Sequence, residues 1–328
     1  MTLRIVFGRA DLQRVRLAAN PDPMWELALA LNRMRDQSIE LRLSRWQRQV
    51  RRQVQGDAHR WRKVLFSLVP YPGNFPDFLT PAPSVADLGA GCEAILGTSR
   101  RRLRQDLAAT FTDTAAPSWI RELAAGGRSE LESVVDSVQA AHDLLVAPSW
   151  DVVLAAVAAD RAERMRVLGR DGVGALLVGI PGVAGWDGQV LRISYPRART
   201  VHLAGRGMTL IPSYFCSAPV SLIDAELPPV LVYPVAGPFG AEPGASGVPR
   251  QLVALLGRTR AECLAALTTP CTTSALADRL GVSVGTASKQ AAVLRDAGLA
   301  TSRRRGGAVL HHLSHLGERL LTGEDIAG

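Results

Sequence analysis

Thr272–Leu299 reads TTSALADRLGVSVGTASKQAAVLRDAGL, and its punctuation decides how the chain ends. Leu276, Ala277 and Leu280 recur at helical spacing and give a first helix one apolar face. Gly281 stands where the chain must turn with positive φ, which only glycine does cheaply. Ser283 is an N-cap for a second helix to about Ala297, because its hydroxyl can satisfy a first-turn N–H. The inner face of that helix is Ala287, Ala291 and Leu294, with Val293 alongside, and Gly298 ends it. Ala277 is small where two helices must cross closely. A small residue, a four-residue gap, a glycine and a capped second helix are helix–turn–helix grammar.

Working outward, Leu299–Arg304 can form a strand, Gly306-Gly307 suits a tight hairpin turn, and Ala308–Leu313 alternates as the return strand. Arg303, Arg304 and Arg305 then sit at the hairpin tip, as a wing. Upstream, Leu252–Leu267 is amphipathic and broken near Gly257, which gives two short helices. Before that, Gly237–Arg250 (GPFGAEPGASGVPR) is half Gly and Pro with no apolar period, so residues 237–250 read as a linker. The C-terminal domain is expected at 251–328.

The segment LADRLGVSVGTASKQAAVLRDAGLATSRRRGGAVLHHLSHLGERLL, Leu276–Leu321, resembles the winged helix–turn–helix domain of ArsR-type bacterial transcription regulators. The phrase Leu294–Leu299 is similar to that family's exit from recognition helix to wing. The family often carries Ser-x-His-Leu in the recognition helix, where this chain has Ser288-Lys289-Gln290-Ala291. The family's metal sensors carry Cys-x-Cys on the first helix of the motif. Here only Cys271 lies nearby, so thiolate metal sensing is not expected. FPDFLTP (Phe75–Pro81) and GRGMTLIPSYF (Gly205–Phe215) resemble the uncharacterised N-terminal region of large actinobacterial members. The resemblance implies a sequence-specific, duplex-DNA-binding regulator, a repressor, acting as a homodimer on two half-sites. Its dimer candidates are Leu252–Leu267 and Leu316–Leu321.

The residue types suit that role. Ser283, Val284, Gly285, Thr286, Ser288, Lys289 and Gln290 open the second helix, where hydroxyls and backbone N–H groups meet phosphate oxygens well. Gln290 can pair with adenine and Lys289 with guanine, if they face the major groove. The recognition helix is expected at about 283–297 and the wing at 299–313. Arg303, Arg304 and Arg305 would meet backbone phosphate or minor groove. Residues 250–328 contain no Phe, Trp or Tyr, so nothing there could stack on unpaired bases. The alternative reading is a protein-interaction module that docks a partner through the same winged helix.

Residues 1–236 read as one α+β unit serving as sensor or interaction domain, helical over 1–170 and β-rich over 171–236. Asp22-Pro23 starts a helix to about Arg35. Ile39, Leu43, Trp46, Val50 and Val54 form one stripe, with Arg42, Arg45, Arg48 and Arg52 mostly off it. Ser129 and Glu132 form a capping box, and a later helix runs from about Trp150 to Leu168 and stops at Gly169. Val190–Tyr195, Thr200–Ala204, Met208–Cys216, Val220–Ile223 and Val230–Val235 read as a β-meander, with Leu3–Phe7 as a candidate further strand. All six tryptophans, all four tyrosines and six of the seven phenylalanines lie here. A small-molecule effector pocket among them is one expectation.

The whole chain has 328 residues, net charge +8 and 47% hydrophobic residues, enough for two or three domains with sizeable cores. The charge is unevenly spread: +7 over 1–80, −2 over 81–170, −1 over 171–244 and +4 over 245–328. Four cysteines without a CxxC pair exclude a disulfide scaffold. No apolar run reaches bilayer length and the start is too charged for a signal peptide, so a cytoplasmic location is expected. There is no Walker loop, nucleophile elbow or HExxH, so no enzyme, metal or cofactor is expected. Gly169–Gly174 (GRDGVG) lacks a preceding strand. His311 and His312 alternate on a strand and do not converge as metal ligands. A groove or phosphate contact suits them better.

Overall fold

The computed structural model describes residues 1–36, 43–54, 60–71, 73–82, 85, 87–111, 117–224, 226–235, 250–268, 270–305 and 308–322. The linker expectation at 237–250, Ile39, Arg42 and the Gly306-Gly307 turn fall on or largely on other residues. The fold is α+β. Contacts divide it into two compact units: Met1–Asp36 with Val50–Ala236, and Gln37–Gln49 with Gly237–Gly328.

The first unit runs β1 (Thr2–Val6), α1 (Arg9–Leu12), β2 (Val15–Leu17), α2 (Pro23–Arg35), α3 (Ser44–Val54, shared between units), α4 (Arg60–Leu68), α5 (Leu88–Leu96), α6 (Arg100–Thr110), α7 (Ser118–Ala124), α8 (Arg128–Leu145) and α9 (Trp150–Val178). Strands β3 (Val183–Trp186), β4 (Val190–Ser194), β5 (Arg199–His202), β6 (Met208–Ser213) and β7 (Val230–Pro234) complete it. At the start of α2, the Asp22 carboxylate accepts from Met24 N and Trp25 N, as an N-cap before proline should. Leu43, Trp46 and Val50 of the α3 stripe are buried. Helix α8 packs against α2, α4, α5 and α7 through Leu131, Val134, Val138 and Ala141.

Two helix boundaries differ from the sequence expectation. Helix α8 begins at Arg128 with Gly127 at the cap, and no side chain caps it. Ser129 instead donates to Glu130, and Glu132 pairs with Arg128. Helix α9 passes Gly169 and continues to Val178, kinking at Gly172 (φ 81°). Gly169 lies where an added Cβ would meet nothing, so its cost is only the ordinary helical glycine penalty of about 1 kcal/mol. The GRDGVG stretch is thus helix and kink, not a phosphate loop. The stretch Arg128–Val178 passes a composition test for a membrane span, with mean hydropathy 1.3 over one window. It is not one rod, because the 3-10 turn Ala147–Ser149 separates α8 from α9.

The strands do not form a meander. They make two sheets, β3-β4-β1-β5 and β2-β6-β7. Strand β1 runs antiparallel to β4 (Leu3 opposite Ile193) and parallel to β5 (Leu3 opposite Arg199), so the amino terminus lies between them. The second sheet is wholly parallel. Val220–Ile223 is not a strand, and only Val220 bridges to Val232. Leu3, Ile5, Phe7, Leu191, Ile193, Leu210, Leu231 and Tyr233 share one core with Leu176, Leu177 and Ile180 at the end of α9. Buried Glu26 of α2 accepts from Ser213 Oγ, Tyr214 N and Phe215 N, which ties the helical part to the end of β6.

The second unit carries α10 (Arg250–Leu256), α11 (Arg258–Ala266), β8 (Cys271–Thr272), α12 (Thr273–Leu280), α13 (Val284–Asp296), β9 (Ala300–Arg305), β10 (Ala308–Leu313) and α14 (His315–Thr322). Its sheet order is β8-β10-β9. Strand β8 was not expected, and two residues are too short for any alternation to register. Leu276, Ala277, Leu280, Ala287, Ala291, Leu294, Leu299 and Leu313 close the core. Leu252, Ala261 and Ala265 form a satellite packed on Leu320 and Leu321 of α14.

Candidate nucleic-acid interface

Thr272 Oγ1 accepts from Ala275 N and starts α12. Arg279 donates to Ala266 O, pinning α12 to the end of α11. Gly281 then turns left-handed (φ 67°, ψ 29°), as the sequence requires. Ser283 Oγ accepts from Thr286 N at 3.1 Å and lies 2.9 Å from Thr286 Oγ1. The two hydroxyls therefore serve the cap first. The N–H groups of Val284 and Gly285 sit in the first turn, where a helix offers no partner.

The orientation of α13 follows from its buried residues. Ala287, Ala291 and Leu294 are buried, and alanines at the first two positions let α12 and α13 cross closely. At 100° per residue, the opposite face is Gly285, Lys289, Ala292, Val293 and Asp296. Ser283, Val284, Gly285, Ser288 and Lys289 are exposed. Gln290 is half-buried, and its carbonyl accepts from Arg260 Nε at 3.2 Å, so its amide is not free to read a base without breaking that contact. Val293, placed by sequence alongside the inner face, is instead 38% exposed, and Val284 is 52% exposed. Arg295 is also exposed and pairs with Asp296. Neither Val293 nor Arg295 was singled out from sequence as an interface residue. The helical angle from Leu294 carried that signal.

Leu299 N donates to Leu294 O, which turns the chain from α13 into β9. Arg303 is exposed and stands opposite Leu310; Arg304 and Arg305 stand opposite Val309 and Ala308. All three thus occupy the last positions before the hairpin turn. His311 does not reach outward. It is buried, 2.9 Å from Thr273 Oγ1 and 2.8 Å from Ser302 Oγ. Burial, then the Arg295 charge, lowers its pKa, which disfavours the cationic form that would pair with a phosphate. His312 bonds Thr301 across the hairpin.

No family model, no curated protein and no solved structure matches the chain.

Other candidates are structural or separate. Cys263 and Cys271 are buried, and burial pushes the Cys263 thiol up to about 12, so it does not ionise at neutral pH. Among the described residues no group of three or more His, Cys, Asp or Glu could hold a metal ion. Arg100, Arg101 and Arg104 are exposed on α6, whereas Arg102 pairs with Asp77, Asp106 and Asp224. In the first unit a cleft of about 190 Å³ opens between Asn32, Arg33, Tyr71, Tyr195, Phe215 and Pro219.

Proposed function

We propose that residues 250–322 form an ArsR-type winged helix–turn–helix that binds duplex DNA, and that the chain is a transcription regulator, acting as a repressor. One observation carries this reading. The outward N-terminal half of α13, with Ser288 and Lys289 exposed, is followed in the same unit by three consecutive arginines ending a strand. Lys289 supplies a base or phosphate contact, the first-turn N–H groups of Val284 and Gly285 suit a phosphate, and the arginines meet the backbone beside the groove. Gln290 reads a base only if Arg260 releases it. Leu255 on α10 (71% exposed) and Leu316 on α14 (52% exposed) are apolar residues left at the surface, as a homodimer contact would leave them. A small-molecule effector would enter the first unit through this cleft, whose volume of about 190 Å³ limits it to a molecule smaller than the usual ligand.

The test is binding of the full chain to genomic duplex fragments across salt. A log–log slope of about −0.9 per neutralised phosphate is expected, and replacing Arg303, Arg304 and Arg305 by Ala reduces its magnitude by up to about 3. Lys289→Ala changes sequence preference instead. A flat salt response, or equal losses on all sequences for both sets, overturns the reading. Exposed Val284 and Val293 favour the second reading, a protein-docking surface. It stands if Val293→Ser abolishes capture of one protein while DNA is not bound at all.

A further inference from the structure

Helix α9 turns the usual amphipathic arrangement inside out. Its inner face is Val153, Val157, Asp160 and Arg164, where Arg164 pairs with Asp160 and Asp160 accepts from Tyr233 Oη. Its outer face is apolar. Asp151, Ala155, Ala158, Ala162 and Arg166 are exposed at spacings of 4, 3, 4 and 4, which puts them on one line. Val152 (53% exposed), Leu154 and Met165 (47% exposed) flank that line. Large apolar side chains on a solvent face mark a contact surface.

The charges select the occupant. The line begins with a carboxylate and ends with a guanidinium about 22 Å along the helix. Laid antiparallel on a second copy of itself, Asp151 of each chain meets Arg166 of the other. Val152 then meets Met165, Ala155 meets Ala162, and Ala158 meets Ala159 at the two-fold axis. The alanines at the centre let the backbones approach closely. A parallel arrangement would set Asp on Asp and Arg on Arg. Arg166 also pairs with Glu163 of its own helix, but both are exposed, and such pairs re-form at little cost.

We propose that the outer face of α9 binds the same face of a second copy of this chain, antiparallel about a two-fold axis near Ala158. A helix pair this short covers less than the roughly 800 Å² per partner of a standard interface, so it acts beside other contacts. This does not rest on DNA binding. Bulk mass would not isolate the contact, so the experiment reads proximity. The full-length A158C chain is oxidised and compared with A140C, which changes an exposed residue of α8. The four native cysteines are buried and do not compete. Disulfide-linked dimer should form about tenfold faster for A158C. Adding Asp151→Arg or Arg166→Asp should each slow it about fivefold, and both together should restore it, with melting unchanged. Equal rates for A158C and A140C, as when the face is covered by the chain's own second unit or by lipid, overturn the proposal. So does insensitivity to either single reversal, or failure of the double reversal to rescue.

Discussion

The two units close their cores over different distances along the chain. In the second, α12 packs on α13, α13 hands over to β9, and β9 turns back into β10, each step between neighbours in sequence. In the first, β1 pairs with β4 and β5, and Asp11 reaches Gly207 N across nearly the whole unit. The difference also shows in how polar groups are used. The second unit keeps Lys289 and Arg303 at its surface, whereas the first buries carboxylates such as Glu26, Asp77 and Asp106 as ties between distant segments. Local closure leaves side chains free for a partner, and distant closure consumes them.

The sharpest way to break that contrast is to remove a tie. Arg102 faces Asp77, Asp106 and Asp224, and Asp106 also accepts from Phe78 N. Arg102→Met removes the cation shared by three carboxylates, leaving them only backbone donors, and should cost the first unit about 4 kcal/mol, read by hydrogen exchange in α6. An unchanged exchange rate would mean these ion pairs hold nothing. In the second unit, Leu276→Ala empties a fully buried site and should cost about 3 kcal/mol, read as exchange in α13.

A smaller effect separates the units by pH. Burial raises Asp106 to about 6, against the opposing pull of Arg102. A carboxyl whose folded pKa lies above its unfolded one binds more protons when folded. Stability from this group is therefore fullest below about pH 4 and falls, by about 2 kcal/mol, as pH rises to about 6. Asp106→Asn should flatten denaturation midpoints of the first unit between pH 4 and 7. The smallest change tests local grammar alone. An added Cβ at Gly281 meets open space, so Gly281→Ala costs only left-handed strain, about 1 kcal/mol, in thermal melting of the second unit.

These sizes parallel what could be read in advance. Gly281, Ser283 and the spacing of Leu276, Leu280, Ala287 and Leu294 act through neighbours within a turn or two, so helices α12 and α13 and the hairpin after them were legible. So was the exposure of Ser283, Val284, Gly285, Ser288 and Lys289, but not the half-burial of Thr286. The Gln290–Arg260 contact was not, because it joins helices 30 residues apart. The strands of the first unit were legible as strands, but not as two sheets with parallel pairings, since nothing local in Thr2–Val6 specifies Arg199–His202 as its neighbour. Gly169 and Gly172 both face open space, and only Gly172 takes a positive φ, so nothing local marked which glycine would break the helix.

The position of β1 between β4 and β5 also sets a schedule. Leu3 and Ile5 are made some 196 residues before their partners Arg199 and Val201 on β5. At 5–20 residues per second that is roughly 10–40 s during which an apolar segment leaves the ribosome with no strand to join. Strand β1 is thus synthesised before the rest of its sheet and is among the last elements to be secured, and a substitution there would be felt at the final step of folding.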